Sequence, residues 1–574
     1  MFPHKKIRPL GYLLLTMMLG ISVIGCRYPE CPDFISNNGI NGLIQIRAPS
    51  GLNVYGQLQY LHNSGIVQGG PNRVYIITAW APSILDDHDP PYDNEDIPGI
   101  NPGITFVPNN PTEYVHVIIE SDNPSFRRDI QLISAGTMFE IGPRNILYLY
   151  NVALVGMPVT LNTNNPMVNV STEGTLRMKD NSAITGNLGG RGVRVDGGTF
   201  YMYDTASITG NTDGGVLVTG STGTFTMSGG LISVNTATSG GGVHVSGVGT
   251  SFTMSGGVIG GDFVDLNTAV VGGGVMISGG AEFVMEGGTI SFNEATNAGT
   301  NEGGGGVHLT GAGSSFILDG GIITWNVAGA AGGGVDMQAN TTFIMIDGEI
   351  SANEATSAAA FAGGGGVHLV GALSEFRMYG GTISGNWAQR GGGVRVNGGD
   401  TYPSHSRFYM HGGTITANTA GADGGGVDAS SHSRFEMHGG TIGPVNNAPQ
   451  GGGVSLNLPL GIWPNPPTHP NINFTMTGGT ISGNTATNHG GGVWLSAASR
   501  FRIYGPGMYT GGANTGGLVH GRPLNMSPLF PPPPPPMPPS SAAVWNSSGA
   551  NSSVTINGVT TSGSLLGSFD WTIP

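Results

Sequence analysis

Apolar and polar residues alternate in short segments along most of the chain, and these segments recur in a fixed order. Each unit contains an F-x-M segment, an x-I-S segment and a V-x-V or V-x-L segment, separated by Gly-Gly and by an Asn that precedes Gly-Gly-Gly. Alternation with a period of two is typical of half-buried strands. We therefore predict three short strands and three turns in each unit. The Phe of the unit recurs at Phe200, Phe225, Phe252, Phe283, Phe316, Phe343, Phe376, Phe408, Phe435, Phe474 and Phe501.

Most steps between these Phe residues are 27 to 33 residues long, and no helical pattern interrupts them. This period predicts an all-β fold, a single-stranded parallel β-helix in which every unit forms one coil. Stacked coils are separated by ~4.8 Å, so we expect Phe to lie on Phe and Val on Val. The sequence predicts about 11 clear coils. Strand-like segments at 74–80 and 115–121 predict irregular N-terminal coils.

An Asn follows the second strand of nearly every unit. Asn tolerates a left-handed backbone, so we expect it to form the turn there. Stacked amides can also hydrogen-bond to one another along the axis, and we interpret the column as structural. In the coil that begins at Phe252 the pattern gives this place to Asp262. The predicted members are Asn187, Asn211, Asn235, Asn293, Asn326, Asn353, Asn386, Asn418, Asn446 and Asn484.

Composition supports a turn-rich repeat and narrows the possible partners. Gly accounts for 102 of 574 residues, without the three-residue period of collagen. There are 21 Lys and Arg against 35 Asp and Glu, and Lys occurs only at positions 5, 6 and 179. Because a basic patch is needed to neutralise phosphates, the sequence argues against a nucleic-acid partner. We expect no cofactor.

Residues 1–25 have the pattern of a secretory signal. Lys5 and Lys6 precede an apolar run from Leu10 to Ile24 that is too short to span a bilayer comfortably. The run ends in Val-Ile-Gly-Cys, which resembles the lipobox of bacterial lipoproteins. That resemblance implies cleavage before Cys26 and lipidation of this residue. The alternative is a plain secretory signal whose cleavage site contains a Cys. We therefore expect an exported protein held at the outer membrane or cell surface by a lipid anchor.

Repeats of the form GGTISGNTA followed by GGGV, from about Asp129 to Val493, carry a wider resemblance. The chain resembles the Gly-rich right-handed parallel β-helix surface lipoproteins of spirochaetes and related bacteria. More loosely, its GG-x-I segments are similar to those of chlamydial polymorphic outer membrane proteins. The first resemblance implies a right-handed β-helix exposed at a surface, and it implies no particular activity.

The position after the first Val of V-x-V should point away from the core. There, His308, Asp336 and His368 fall on three successive coils. Imidazole and carboxylate groups so placed are a candidate site for a divalent metal. The alternative interpretation is a solvent-facing polar stripe with loosely paired charges.

Two connections between GGGV and the next Phe are unusually long. The usual distance is 8 or 9 residues, but it is 14 from Val394 to Phe408 and 20 from Val454 to Phe474. Loops on a rigid scaffold often carry recognition, so these are candidate binding loops for glycans or partner surface proteins. The alternative is that they are insertions without a role, which such sites tolerate. Their candidate contact residues are Tyr402, His405, Trp463 and His469.

These observations predict a non-catalytic, adhesin-like or structural stalk. The alternative is a carbohydrate-active enzyme, because polysaccharide lyases and glycoside hydrolases also use the β-helix, and outward carboxylates, His or Arg could act on a sugar. The predicted organisation is a signal peptide at 1–25, a lead-in at 26–72, the β-helix at 73–520, a Pro-rich spacer at 521–541 and a strand-like tail at 542–574.

Overall fold

A computed structural model of the chain describes residues 114–504 and several isolated strands outside that range. The gaps within it are 133, 158–161, 299–301, 360–361, 399–404, 458–471 and 496–498. The chain divides into two compact units, Met1–Ile44 and Gln45–Pro574, and only Ile44 of the first unit is described. The described strands are stacked in parallel as a β-solenoid of about 12 turns, which confirms the predicted fold class.

Within the described residues the strands form three sheets, here named A, B and C. Sheet A comprises Ile44–Arg47, Arg73–Ala79, Gly99–Ile100, Val115–Ser121, Arg128–Leu132, Asn145–Tyr150, Val152–Val155, Thr175–Lys179, Ala183–Thr185, Thr199–Met202, Ser207–Thr209, Thr224–Ser233, Ser251–Gly260, Glu282–Met285, Thr289–Ser291, Ser315–Thr324, Thr342–Ser351, Glu375–Met378, Thr382–Ser384, Ser406–Met410, Thr414–Thr416, Ser433–Met437, Thr441–Ile442, Ile472–Met476, Thr480–Ile481, Ser499–Ile503, Ser553–Ile556 and Val559–Ser562. Sheet B comprises Ile104–Thr105, Phe139–Ile141, Val168–Ser171, Val193–Asp196, Val216–Thr219, Val243–Ser246, Val275–Ser278, Val307–Leu309, Val335–Met337, Val367–Val370, Val394–Asn397, Val427–Ser430, Val454–Asn457, Val493–Leu495 and Val544–Asn546. Sheet C comprises Thr236–Ser239, Thr268–Val271, Glu294–Ala295, Val327–Ala328, Glu354–Ala355, Trp387–Arg390, Thr419–Asp423, Asn447–Gln450, Thr485–His489 and Thr515–Gly516.

The Phe column forms the centre of the core. From Phe200 to Phe501 each ring stacks on the next, with centroids 4.4–4.8 Å apart and ring planes within 12° of parallel. All of these rings are buried. Burying one Phe is worth about 1.5–3 kcal/mol, so the column supplies a continuous core. Towards the N-terminus Leu176 and Leu147 continue the same register.

The F-x-M and x-I-S segments belong to one sheet and not to two. Both lie in sheet A, and in four coils they join into an uninterrupted strand of 10 residues, as in Thr224–Ser233. The Gly pair between them bends the strand. Gly230 has a φ of 90°, and a Cβ at this residue would lie 2.8 Å from Cε of Met202 in the previous coil. Gly is required here because this backbone conformation disfavours a side chain and because a Cβ would also lie 2.5 Å from the backbone carbonyl oxygen of Ala206, which is less free to move than a methionine methyl group.

Sheet C occupies a region where the sequence pattern predicts only a turn. Its strands begin directly after the Asn column and are 2 to 5 residues long. Most of them place one Ala inward; Ala295, Ala328 and Ala355 are fully buried. One small residue on such a short strand gives little alternation, which explains why the pattern does not predict this side.

The C-terminal tail continues the solenoid. Val544–Asn546 pairs in parallel with Val493–Leu495 of sheet B, and Ser553–Ile556 pairs with the last long strand of sheet A. An antiparallel partner, Val559–Ser562, then follows. This hairpin covers an edge that would otherwise offer unpaired backbone groups. The Pro-rich segment 521–541 lies outside the described residues.

Candidate functional site

The outward position after the first Val of each sheet B strand forms one column along the solenoid. Arg194, in an early coil, is exposed. From His308 onward the column is buried, with 0–1% of each residue exposed as far as Ser455. We call this buried part the polar column; its members are His308, Asp336, His368, Arg395, Asp428 and Ser455. The predicted solvent-facing stripe is therefore wrong for these coils, because other parts of the chain cover the outer face of sheet B.

Asp336 is the acceptor at the centre of the polar column. Nδ1 of His308 lies 2.9 Å from Oδ2, and Nδ1 of His368 lies 2.7 Å from Oδ1. The backbone N–H of Gly303 and the amide of Gln338 also donate to Oδ2, at 3.1 and 2.8 Å. Burial raises the pKa of Asp336, but the hydrogen bonds from the two imidazoles outweigh it and lower this pKa to about 2. The carboxylate is thus held ionised.

The three predicted metal ligands are neighbours, but hydrogen bonds join them. Each carboxylate oxygen of Asp336 already accepts from an imidazole Nδ1, so the oxygens face the two rings and not a shared cation. In the described part of the chain, no cluster of three or more His, Cys, Asp or Glu is arranged to hold a metal ion. Nε2 of His368 is buried and has no hydrogen-bond partner among these residues.

Arg395 and Asp428 form the next pair of the polar column. Nε of Arg395 lies 3.9 Å from Oδ2 of Asp428, and its Nη1 donates to the carbonyl of Ala362. Burial, partly offset by Asp428, lowers the pKa of Arg395 to about 10. Burial raises the pKa of Asp428 to about 7, although Arg395 acts in the opposite direction. A carboxyl group that titrates near neutral pH is typical of functional sites, and structural ion pairs produce it as well.

The two candidate binding loops leave sheet B two coils apart and enter sheet A. Asn397 and Ser406 flank the first loop, and Asn457 and Ile472 flank the second. Oγ of Ser406 donates to the carbonyl of Asn397 at 2.9 Å. The amide of Asn457 donates to Asp423 at 2.8 Å. Side-chain hydrogen bonds therefore fix both ends of the first loop and the N-terminal end of the second, whereas Ile472 is held by strand pairing with Ser433. Asn397 and Ser406 are buried.

His405 is the one predicted loop residue that the structure describes. It is half-buried, and its Nδ1 lies 3.0 Å from the carbonyl of His432 in the following coil. The predicted residues Tyr402, Trp463 and His469, and the predicted lipidation site Cys26, lie outside the described residues.

The Asn side chains form an unbroken ladder from Asn211 to Asn484. Each Nδ2 donates to Oδ1 of the Asn in the next coil, at 2.9–3.1 Å. The ladder includes Asn267, and Asp262 lies instead in an exposed segment. The prediction for that coil is wrong because residues 261–266 precede the ladder position, where the next coil has the single residue Phe292. The members are Asn211, Asn235, Asn267, Asn293, Asn326, Asn353, Asn386, Asn418, Asn446 and Asn484.

The left-handed residue at this corner precedes the Asn. Positive φ occurs at Gly186, Gly210 and Gly385, but also at Val234, Phe292 and Trp325. The Asn side chains point inward and are buried. The expectation that Asn itself adopts the left-handed backbone is therefore wrong. Asn is needed here for its amide, which supplies one donor to the ladder and a second to an Ile carbonyl of the previous coil, as from Asn353 to Ile323.

No family model, curated protein or solved structure matches the chain. In the range that the structure describes, we find no helix with the length and apolar character needed to cross a membrane.

Proposed function

We propose that the protein is a non-catalytic, surface-exposed β-helix that acts as an adhesin-like binding or structural stalk. It is held to a membrane by acylation of Cys26, and the loops 398–405 and 458–471 contact the partner. The lipid anchor and the surface location rest on the N-terminal sequence pattern. The binding role rests on the sheet B to sheet A corner.

The observation that carries the binding role is the fixed ends of the two loops. Oγ of Ser406 reaches the carbonyls of Gly371 and Asn397, at 2.7 and 2.9 Å. Between the two loops lies a coil whose corresponding turn consists of only Ser431 and His432. The stacked coils thus hold the flanking strand ends of the two loops in register, two coil spacings or ~10 Å apart. Long loops on rigid stems are a common basis of recognition.

The intervening coil provides a direct test of the loops. Asn397 and Asn457 both align with Ser430, and Ser406 and Ile472 both align with Ser433. Each long loop can therefore be replaced by Ser-His without a change of register. We expect these variants to keep or raise the melting temperature, because shorter loops cost less entropy to close. They should lose binding on an array of glycans and extracellular proteins that captures the wild-type chain.

Location is tested separately from binding. Mass spectrometry of the protein from membranes should find a mature chain that begins with acylated Cys26, and C26A should release the protein from the membrane. Protease added to intact cells should degrade the wild-type chain. A chain that stays protected in intact cells, yet is digested after lysis, would contradict surface exposure.

A carbohydrate-active enzyme is the second candidate, and the raised pKa of Asp428 beside Arg395 favours it. The burial of both residues weighs against it, because a general acid must contact its substrate. The test is incubation with neutral and acidic polysaccharides, with measurement of new reducing ends and of unsaturated products. If the wild type cleaves a polysaccharide and D428N does not, the protein is an enzyme and the proposed binding function is wrong.

A further inference from the structure

The corner between sheets A and C carries two residues that fold stability does not explain. Phe292 and Trp325 precede the ladder Asn in successive coils and have φ values of 53° and 56°. A left-handed backbone disfavours large side chains, and Gly fills this position in several other coils, as at Gly210 and Gly385. Trp325 remains 53% exposed. Its indole therefore occupies a strained position without the compensation of full burial.

These residues belong to a short aromatic stack, which we call the aromatic corner: Phe263, Phe292 and Trp325. Phe263 projects from the inserted segment 261–266, is 78% exposed and meets Phe292 edge-on at 4.7 Å between centroids. Phe292 and Trp325 are parallel within 3°, with centroids 6.1 Å apart. The stack thus extends over three coils on the outside of the solenoid.

The stack ends at Trp325. The next two coils place Ala352 and Gly385 at the same corner, aligned through Thr324, Ser351 and Ser384. Beyond the indole face opposite Phe292, the next coil therefore has only the methyl group of Ala352 at this corner, and the coil after it has Gly385, which has no side chain. This leaves a step on the surface, about one coil spacing high or more, next to an uncovered aromatic face.

Polar groups surround this step. On sheet C the register runs from Val327 through Glu354 to Trp387, so an exposed carboxylate lies between the coils of the two Trp residues. Trp387 is itself 37% exposed. On sheet A the hydroxyls of Thr324 and Ser351 are 3.1 Å apart. The exposed side chain of Glu294 adds a second negative charge on sheet C.

We propose that the aromatic corner binds a neutral pyranose, which stacks on the free face of Trp325. A pyranose presents an apolar C–H face and a rim of hydroxyl groups, and this site offers an aromatic face beside a carboxylate and hydroxyls. The ring continues the stack over Ala352, and its hydroxyls hydrogen-bond to Glu354. Glu294 and Glu354 repel anionic sugars and phosphate headgroups. This site is separate from the loops 398–405 and 458–471.

The test uses the full mature chain and three immobilised neutral probes: tetrasaccharides of β-1,4-linked N-acetylglucosamine, β-1,4-linked glucose and β-1,4-linked mannose. We expect one of them to bind, W325G to weaken that binding about tenfold or more, and E354Q to weaken it less. W325G should fold, because Gly is native at this corner in other coils, and its melting temperature should be equal to or above that of the wild type. V445G is the matched control, because Val445 has the same backbone conformation and is 61% exposed, but does not belong to the stack.

Two results would overturn the proposal: none of the three tetrasaccharides binds, or W325G binds as well as V445G. Vesicles of phosphatidylglycerol form a further arm, and binding to them that depends on Trp325 would identify the corner as a membrane contact instead. The loop replacements separate this site from the proposed function. If they abolish partner capture but leave tetrasaccharide binding intact, the two sites are independent.

Discussion

The outer face of sheet B differs between the early and late coils, although the interior beneath it is the same. Phe225 and Phe408 are both buried in the same stack. On the outer face, Arg194 is exposed to solvent in an early coil, whereas Arg395 is fully buried in a late one. The late coils also carry the stems of both long loops. One interior therefore supports two different exteriors, and the features that distinguish this protein from a plain repeat lie outside the core.

Substitution in the Phe column should have the largest effect and should not distinguish the two regions. F225A and F408A each remove a stacked ring, and we expect each to lower the free energy of unfolding by about 3–5 kcal/mol. Guanidinium titration followed by circular dichroism measures this loss. T226A, at an adjacent outward position, should change stability by less than about 0.5 kcal/mol. Unequal losses for the two Phe variants would show that the interiors are not equivalent.

Substitution of Arg194 and of Arg395 should lower the free energy of unfolding by different amounts in the early and the late coils. Above the pKa of Asp428, at pH 8, R395A leaves this carboxylate buried without its counter-charge, and breaking such a pair costs about 3 kcal/mol or more. R194A removes an exposed side chain and should cost less than about 0.5 kcal/mol. The same denaturant titration gives both values. Equal values would contradict the contrast between an open and a covered face.

The Asn ladder should be nearly as sensitive. In N353A the backbone N–H and Nδ2 of Asn326 both lose their acceptor, and the carbonyl of Ile323 loses a donor. We expect a loss of about 2–3 kcal/mol, since each buried unsatisfied group costs about 1–3 kcal/mol. N353D keeps the acceptor, and at low pH, where the carboxyl group is protonated, it also keeps one of the two donors, so it should then be the milder variant. An N353A protein as stable as the wild type would show that the ladder contributes nothing.

Asp428 should give the late coils a smaller, pH-dependent instability. Its folded pKa is raised to about 7 from 3.8, so the folded chain binds this proton more tightly than the unfolded chain does. The resulting stabilisation is complete below about pH 4 and is lost as pH rises through 7. The melting temperature of the wild type should therefore fall between pH 5 and 8 by more than that of D428N. Parallel curves for the two proteins would exclude this titration.

Much of the fold could be predicted because the interior is periodic. Phe343 and Phe376 lie in register as the repeat requires, and the Asn residues form the predicted ladder. The prediction that Asp262 belongs to the ladder was wrong because an insertion moves the ladder position to Asn267. Sheet C was not predicted because a single inward Ala in each strand gives only a weak alternation of apolar and polar residues. The predicted solvent exposure of the polar column was wrong for a different reason. Alternation indicates which side chains point away from the core, but it does not indicate whether other residues cover them.

The aromatic corner had no distinct signal in the sequence. Phe292 and Trp325 stand immediately before the ladder Asn, where other coils have smaller residues such as Gly, Ala or Val with the same left-handed backbone. The strand pattern of the sequence assigns this position to a turn, and turns tolerate many residue types. Only the backbone angles reveal that a large side chain is unfavourable there. Exceptions to a repeat at its tightest turns are therefore worth inspecting in other solenoids.

The amide ladder gives the solenoid a direction. Every Asn from Asn211 to Asn446 directs its Nδ2 donor to the following coil, so each finished coil presents the same template to the chain that follows it. Winding can then proceed vectorially from the N-terminal side, without rearrangement of earlier coils. It also follows that whole coils are interchangeable modules: one removed or duplicated in frame leaves matching ends, and the length of the molecule can change without a new solution to its packing.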